Sequence, residues 1–110
     1  MRRGDIVTVV ASGDYGKPRP AVVVQADVLT ASGLPSVLLC LISSHPVVVP
    51  VFRLPVDPGP GNGLIQRSQI MVDKILTVPR ARIGSVIGRL DDETILRLNR
   101  TLAFVVGLAE

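Results

Sequence analysis

The chain has 110 residues, enough for one domain, and it is 47% hydrophobic but only 3% aromatic with no Trp, so its core must be aliphatic. The formal charge of +3 is uneven: before Asp91 stand ten basic and five acidic residues, a surplus that suits a polyanionic partner, though a modest positive charge also serves solubility alone. A single cysteine (Cys40) excludes an internal disulfide, Cys40 and His45 cannot build a zinc site within one chain, and no apolar run approaches the ~20 residues of a membrane-spanning helix.

Met1-Arg2-Arg3 runs straight into a strand-like segment, so no secretory leader is expected and a cytoplasmic protein is the default. Gly4–Val10 is rich in β-branched residues and reads as the first strand. Ala11–Lys17, with Ser12, Gly13, Asp14 and Gly16, reads as a loop. Pro18–Gln25 is the next strand. Its Ala21-Val22-Val23-Val24 run is apolar on both faces, as at a sheet centre, and Pro20, lacking an N–H, belongs at its start. Thr30–Pro35 reads as a turn, and Ser36–Ser44 and Val48–Leu54 as two further strands, the first carrying Cys40 in a core context.

Pro55–Gly63 is a dense run of turn formers and is expected to be an exposed loop. Leu64–Val72 reads as a strand, followed by a short Ile75–Val78 segment. The period then changes. Asp91 is a natural N-cap, Asp92 and Glu93 put negative charge on the first turn, and Ile95, Leu98, Leu102, Val105, Val106 and Ala109 recur at helical spacing. Five or six short strands and one terminal helix predict a small, strongly curved sheet or barrel, a single domain over residues 1–110. Such a scaffold hosts many functions and selects none.

Several short motifs now stand in a recognisable order. Arg3-Gly4-Asp5-Ile6-Val7 opens the first strand and Gly16-Lys17-Pro18-Arg19-Pro20-Ala21-Val22-Val23-Val24 the second. Leu41-Ile42-Ser43-Ser44, Asn62-Gly63-Leu64, Asp73-Lys74-Ile75-Leu76-Thr77-Val78 and Ile87-Gly88-Arg89-Leu90 follow. The set resembles the MazF/PemK/Kid toxin family over nearly the whole chain, the first two motifs being the most specific. The resemblance implies an SH3-like antiparallel β-barrel of the CcdB/MazF/PemK type with a C-terminal helix, usually as a homodimer. It implies the toxin of a type II toxin–antitoxin system that cuts single-stranded RNA at short sequences, leaving a 2′,3′-cyclic phosphate and a 5′-hydroxyl. A cognate antitoxin is expected to wrap the dimer and block the RNA groove. No cluster of Asp, Glu, His or Cys has convincing metal-ligand spacing, so no metal or other cofactor is expected. Two other readings use the same scaffold, a CcdB-like gyrase-binding toxin and an inactive interaction module; the Arg-Pro step favours the nuclease.

Arg19 is the first candidate. A guanidinium stays protonated, matches a phosphate with a planar fork, and can stabilise the charge that builds on phosphoryl oxygens during 2′-OH attack. The family's catalytic Arg sits in this Arg-Pro step; without the motif, Arg19 would read as a solvated loop cation. Ser43 stands where the family most often has Thr. It keeps a hydroxyl that can donate to a phosphate oxygen, but loses the β-branch that stiffens χ1. Asp73 matches an acid proposed for proton transfer in some members; those carry an Arg two positions earlier, where this chain has Met71, and Asp73 could equally cap a turn or pair with a base. His45 has the only side chain that ordinarily titrates near neutrality, and could protonate the leaving 5′-oxygen or be an idle loop residue. Tyr15, the chain's only Tyr, could stack on a base or simply pack. Lys17, Ser44, Arg67, Arg80 and Arg82 complete the candidate RNA contacts, against a plain reading as solvated surface.

Overall fold

The computed structural model describes residues 1–10, 16–45, 47–48 and 52–109. Among these residues six strands form one sheet: β1 (Asp5–Val9), β2 (Arg19–Val23), β3 (Ser36–Ser43), β4 (Arg53–Val56), β5 (Ser68–Pro79) and β6 (Ile83–Arg89). A short helix α1 (Asp27–Ala31) links β2 to β3, and a longer one, α2 (Asp92–Val105), follows β6. The strand order is β4-β5-β3-β2-β1-β6, with every pairing antiparallel. The expected architecture of antiparallel strands with a terminal helix is present. The sheet is open, however, with β4 and β6 as its edges, and does not close into a complete barrel.

The alternation of strand side chains gives the sheet two apolar faces. Ile6, Val22, Cys40, Ile42, Leu54, Ile70 and Val72 share one with Leu98 of α2, while Val7, Val9, Ala21, Val23, Val37, Leu39 and Val78 fill the other. Burial, reinforced by Asp73 and opposed by Arg3, pushes the Cys40 thiol up to about 12, so Cys40 is an inert core residue.

The expected elements moved where neighbours outweigh local pattern. The stretch before Pro35 contains α1, which begins ahead of Thr30; the buried Gln25 amide donates to Thr30 Oγ1 at 3.1 Å and accepts from Leu38 N at 3.2 Å. Leu54 and Val56 alternate into the core, so β4 starts five residues later than the strand expected from Val48, and residues 49–51 lie outside the described residues. One long strand, β5, replaces two expected pieces. A register shift opposite Cys40–Ile42 lets it run on between β3 and β4. No expected element covered β6. It is an edge strand exposed along most of its length, and Gly84, Ser85 and Gly88 blur its period.

Helix α2 starts as expected, with Asp91 accepting from Thr94 N at 2.8 Å. Ile95, Leu98, Leu102 and Val105 face the sheet, but Val106 and Ala109 fall beyond the helix and are exposed. Hydrogen bonds from Thr94, through its side chain and its backbone, hold the Asp91 carboxyl below its ordinary 3.8. A depressed carboxyl stabilises the fold above its unfolded value and loses that contribution as pH falls through the folded one. Asp91→Ala is therefore expected to lower Tm at neutral pH and to converge on the wild type in acid, a comparison thermal melts across pH will make. Among the described residues no helix is long and apolar enough to cross a membrane.

Candidate active site

The antiparallel register brings the two leading candidates together. Ala21 of β2 pairs with Leu41 of β3, and continuing that register by two residues sets Arg19 beside Ser43 at the same end of the sheet. Both line one pocket of about 220 Å³ with Lys17, Pro18, Pro20, Ile42, Ser44 and His45. Arg19, the first residue of β2, is exposed at its mouth. Ser43 Oγ accepts from His45 N at 3.1 Å. That bond uses a lone pair and leaves the hydroxyl hydrogen for donation into the pocket.

A second cavity of about 300 Å³ adjoins the first, sharing Pro18, Arg19, Pro20 and Ser44. Its remaining wall is mainly apolar, with Leu64, Ile65 and Ile87, and polar at Thr8, Gln66 and Ser68. Among the described residues lining the two cavities, Lys17 and Arg19 carry basic side chains and there is no carboxylate. The groove is thus electrostatically suited to a phosphate flanked by a flat, weakly polar group.

The far wall depends on the stretch expected to be a free loop. Asn62 is buried there; its amide donates to Asp57 O at 2.9 Å and accepts from Leu64 N at 3.0 Å and Gly59 N at 3.3 Å. Gly61 O accepts from Arg89 N at 2.8 Å, which ties the segment to β6. Gly63, with φ +72°, comes so close to β6 that a Cβ there would lie 2.3 Å from Ile87 O. The segment is folded against the sheet, and Gly63–Gln66 is thereby fixed as one side of the groove.

The other candidates separate from this site. Asp73 lies on β5 at the register shift, four residues along from Gln69, which pairs with Ser43, so it is ~13 Å away along the strand. It lines neither cavity and sits 3.7 Å from Arg53 Nε, the base-paired alternative. Arg53 pairs across the sheet with Met71, so the guanidinium missing at 71 reaches Asp73 from β4 instead. Arg80 is spent inside the fold: it donates to Thr30 O at 2.9 Å and Leu34 O at 3.0 Å and so pins the α1–β3 connection. Arg67 pairs with Asp57 at 3.0 Å and lines a separate cavity of about 290 Å³. Arg82 is exposed on the 3-10 turn before β6 and lines none of these cavities. Tyr15 lies outside the described residues. The Arg-Gly-Asp opening is structural: Asp5 accepts from Arg2 N at 2.8 Å and from Arg89 at 3.2 Å. Among the described residues no group of three His, Cys, Asp or Glu side chains could hold a metal ion.

Sequence reasoning missed Thr8, Gln66, Ile87 and Gln69. The first three enter the groove only through strand order and loop folding, and Gln69 carries no local signal beyond being an amide in an apolar strand.

Residues 2–106 match the profile of the PemK-like, MazF-like toxins of type II toxin–antitoxin systems. A probable endoribonuclease MazF from Mycolicibacterium smegmatis (strain ATCC 700084 / mc(2)155) is 38% identical over 110 residues, covering 99% of each chain. The solved structure of the Mycobacterium tuberculosis toxin MazF-mt6 superposes with a TM-score of 0.81 at 24% identity, over 96% of this chain and 99% of that one. A mycobacterial endoribonuclease in complex with its cognate antitoxin also gives 0.81, at 19% identity, over 100% of this chain and 98% of that one. At these identities the two structures establish a shared fold. With the family profile spanning nearly all of it, and a relative 38% identical end to end, the chain belongs to the PemK-like, MazF-like toxins of type II toxin–antitoxin systems.

Proposed function

We propose that this toxin is a sequence-specific endoribonuclease that cleaves single-stranded RNA by attack of a ribose 2′-oxygen on the adjacent phosphorus. The observation that carries the reading is that Arg19 and Ser43 line one small cavity that opens, at Arg19, into a larger and mostly apolar one. The scissile phosphate sits over Arg19, whose guanidinium meets the charge growing on the phosphoryl oxygens. Ser43 donates its hydroxyl hydrogen to the same oxygens and acts by transition-state binding, not as a covalent nucleophile. The 2′-oxygen gives its proton to water as it bonds to phosphorus, the P–O5′ bond breaks, and the 5′-oxygen gains a proton. His45, which lines the same cavity, supplies that last proton in this reading. The products are a 2′,3′-cyclic phosphate and a 5′-hydroxyl. Lys17 and Ser44 hold the backbone on either side.

The working form in this reading is a cytoplasmic homodimer. The edge strand β6, with Val86 exposed, is the surface a second copy would cover. A cognate antitoxin with an acidic, partly disordered segment suits the cationic groove and would block it.

The test is incubation of purified protein with end-labelled single-stranded RNA in EDTA, with mapping of the product 5′-ends. Cuts at one short sequence that leave cyclic-phosphate and 5′-hydroxyl ends are expected, since no step assigned above uses a metal. Cutting that chelation abolishes, or inhibition of DNA gyrase with RNA left intact, would overturn the reading.

A further inference from the structure

Ser43, Ser44 and His45 form one side of the phosphate pocket, and Val47, two residues on, is bonded to the side chain of Gln69. Gln69 lies on β5 directly across from Ser43. Its amide Oε1 accepts from Val47 N at 3.1 Å, and its Nε2 donates to Val47 O at 3.0 Å. Both backbone groups of one residue are thus closed by one amide, which needs a donor and an acceptor side by side. Val47 is half-exposed and Val48 fully exposed, so side-chain burial does little to hold them in place. Two residues back, His45 N donates to Ser43 Oγ at 3.1 Å, so the rotamer of the Ser43 hydroxyl is coupled to where the His45 backbone lies. Ser43 lacks the β-branch that would stiffen χ1, so its direction depends on that bond.

We propose that Gln69 is a positioning residue for RNA cleavage: its amide clamps Val47, and through the Ser43–His45 turn it aims the Ser43 hydroxyl and the His45 ring at the phosphate held by Arg19. The proposal rests on the endoribonuclease reading for its catalytic consequence, but not for the clamp itself. Gln69 touches no reacting atom. It acts on the step that depends on orientation, so its loss lowers kcat more than it raises KM.

Two variants separate this role from plain structural support. Gln69→Leu keeps much of the volume and removes both hydrogen bonds. Gln69→Glu keeps the acceptor for Val47 N, but as a carboxylate it sets a second acceptor against Val47 O; only when protonated does it reproduce the donor–acceptor pair of the amide. With rates normalised to the wild type at each pH, both variants are expected to fall by about 10-fold or more in kcat at neutral pH, the scale of a small misplacement of reacting groups. The Glu variant alone is expected to recover as pH is lowered toward its carboxyl range, near ~4–5. Hydrogen exchange at the Val47 amide, protected in the wild type and fast in Gln69→Leu, reads the clamp without reference to activity. Wild-type kcat in both variants, or a deficit in Gln69→Glu that ignores pH as that of Gln69→Leu does, would overturn the positioning role. Unchanged Val47 exchange in Gln69→Leu would overturn the clamp. If the wild-type protein cuts no RNA while Val47 exchange responds as expected, the endoribonuclease reading fails and the clamp stands.

Discussion

Arg19→Ala is expected to slow RNA cleavage by about 10²–10³-fold, the loss typical of one preorganised group facing transition-state charge. The side chain is exposed at the start of β2, outside both apolar clusters, so Tm should stay near that of the wild type. Arg19→Lys keeps the charge but replaces a planar fork with a point charge, and should recover only part of the rate. Single-turnover cleavage of a short RNA at saturating protein, beside a thermal melt of each variant, measures both quantities. An alanine variant that cuts at the wild-type rate would remove the proposed active site altogether. One that cuts slowly because it is unfolded would show in the melt, and would contradict the surface placement of Arg19.

A large structural effect is expected at a residue that lines neither cavity, Gly88. A Cβ there would lie 2.3 Å from the Asn62 carbonyl carbon and 2.5 Å from Gly61 O, both backbone atoms that no rotamer change can move. Gly88→Ala must therefore lift the 61–63 segment off β6 and strain the bond from Arg89 N to Gly61 O. Overpacking of this kind costs about 1–3 kcal/mol. In a domain of this size each kcal/mol lowers Tm by about 4–8 °C. Because Gly63 and Leu64–Gln66 wall the cavity beside Arg19, cleavage should fall as well, chiefly through weaker RNA binding. Gly59→Ala is the control: its Cβ would make only ordinary contacts at 3.7 Å or more, and its Tm and KM should match the wild type. A Gly88→Ala protein with unchanged Tm would mean that the segment is not packed on β6 as described.

How much of this was legible beforehand differs by residue. Arg19 and Ser43 were found through motif resemblance, and the register of β2 against β3 then brought them to one cavity. Asp91 was readable from its type and position alone, because N-capping is a contact within four residues. Arg67, Arg80 and Asp73 also carried charges suited to an RNA site in the chain. Only the fold shows that Asp57, the carbonyls of Thr30 and Leu34, and Arg53 have taken them. Asn62 and Gly63 were turn formers in the sequence, yet they build a wall of the groove because β6 runs beneath them.

By itself the sequence determined the aliphatic core, the strands at its centre and the start of the terminal helix. Burial and capping leave a trace at the spacing of neighbours along the chain, every two residues in a strand and every three or four in a helix. The tertiary structure decided the open strand order, the edge strand β6, the two adjoining cavities and the Gln69 clamp on Val47. Those depend on which strands pair, in which register, and on how a loop lies across them, and such contacts join residues dozens of positions apart that carry no mark of one another.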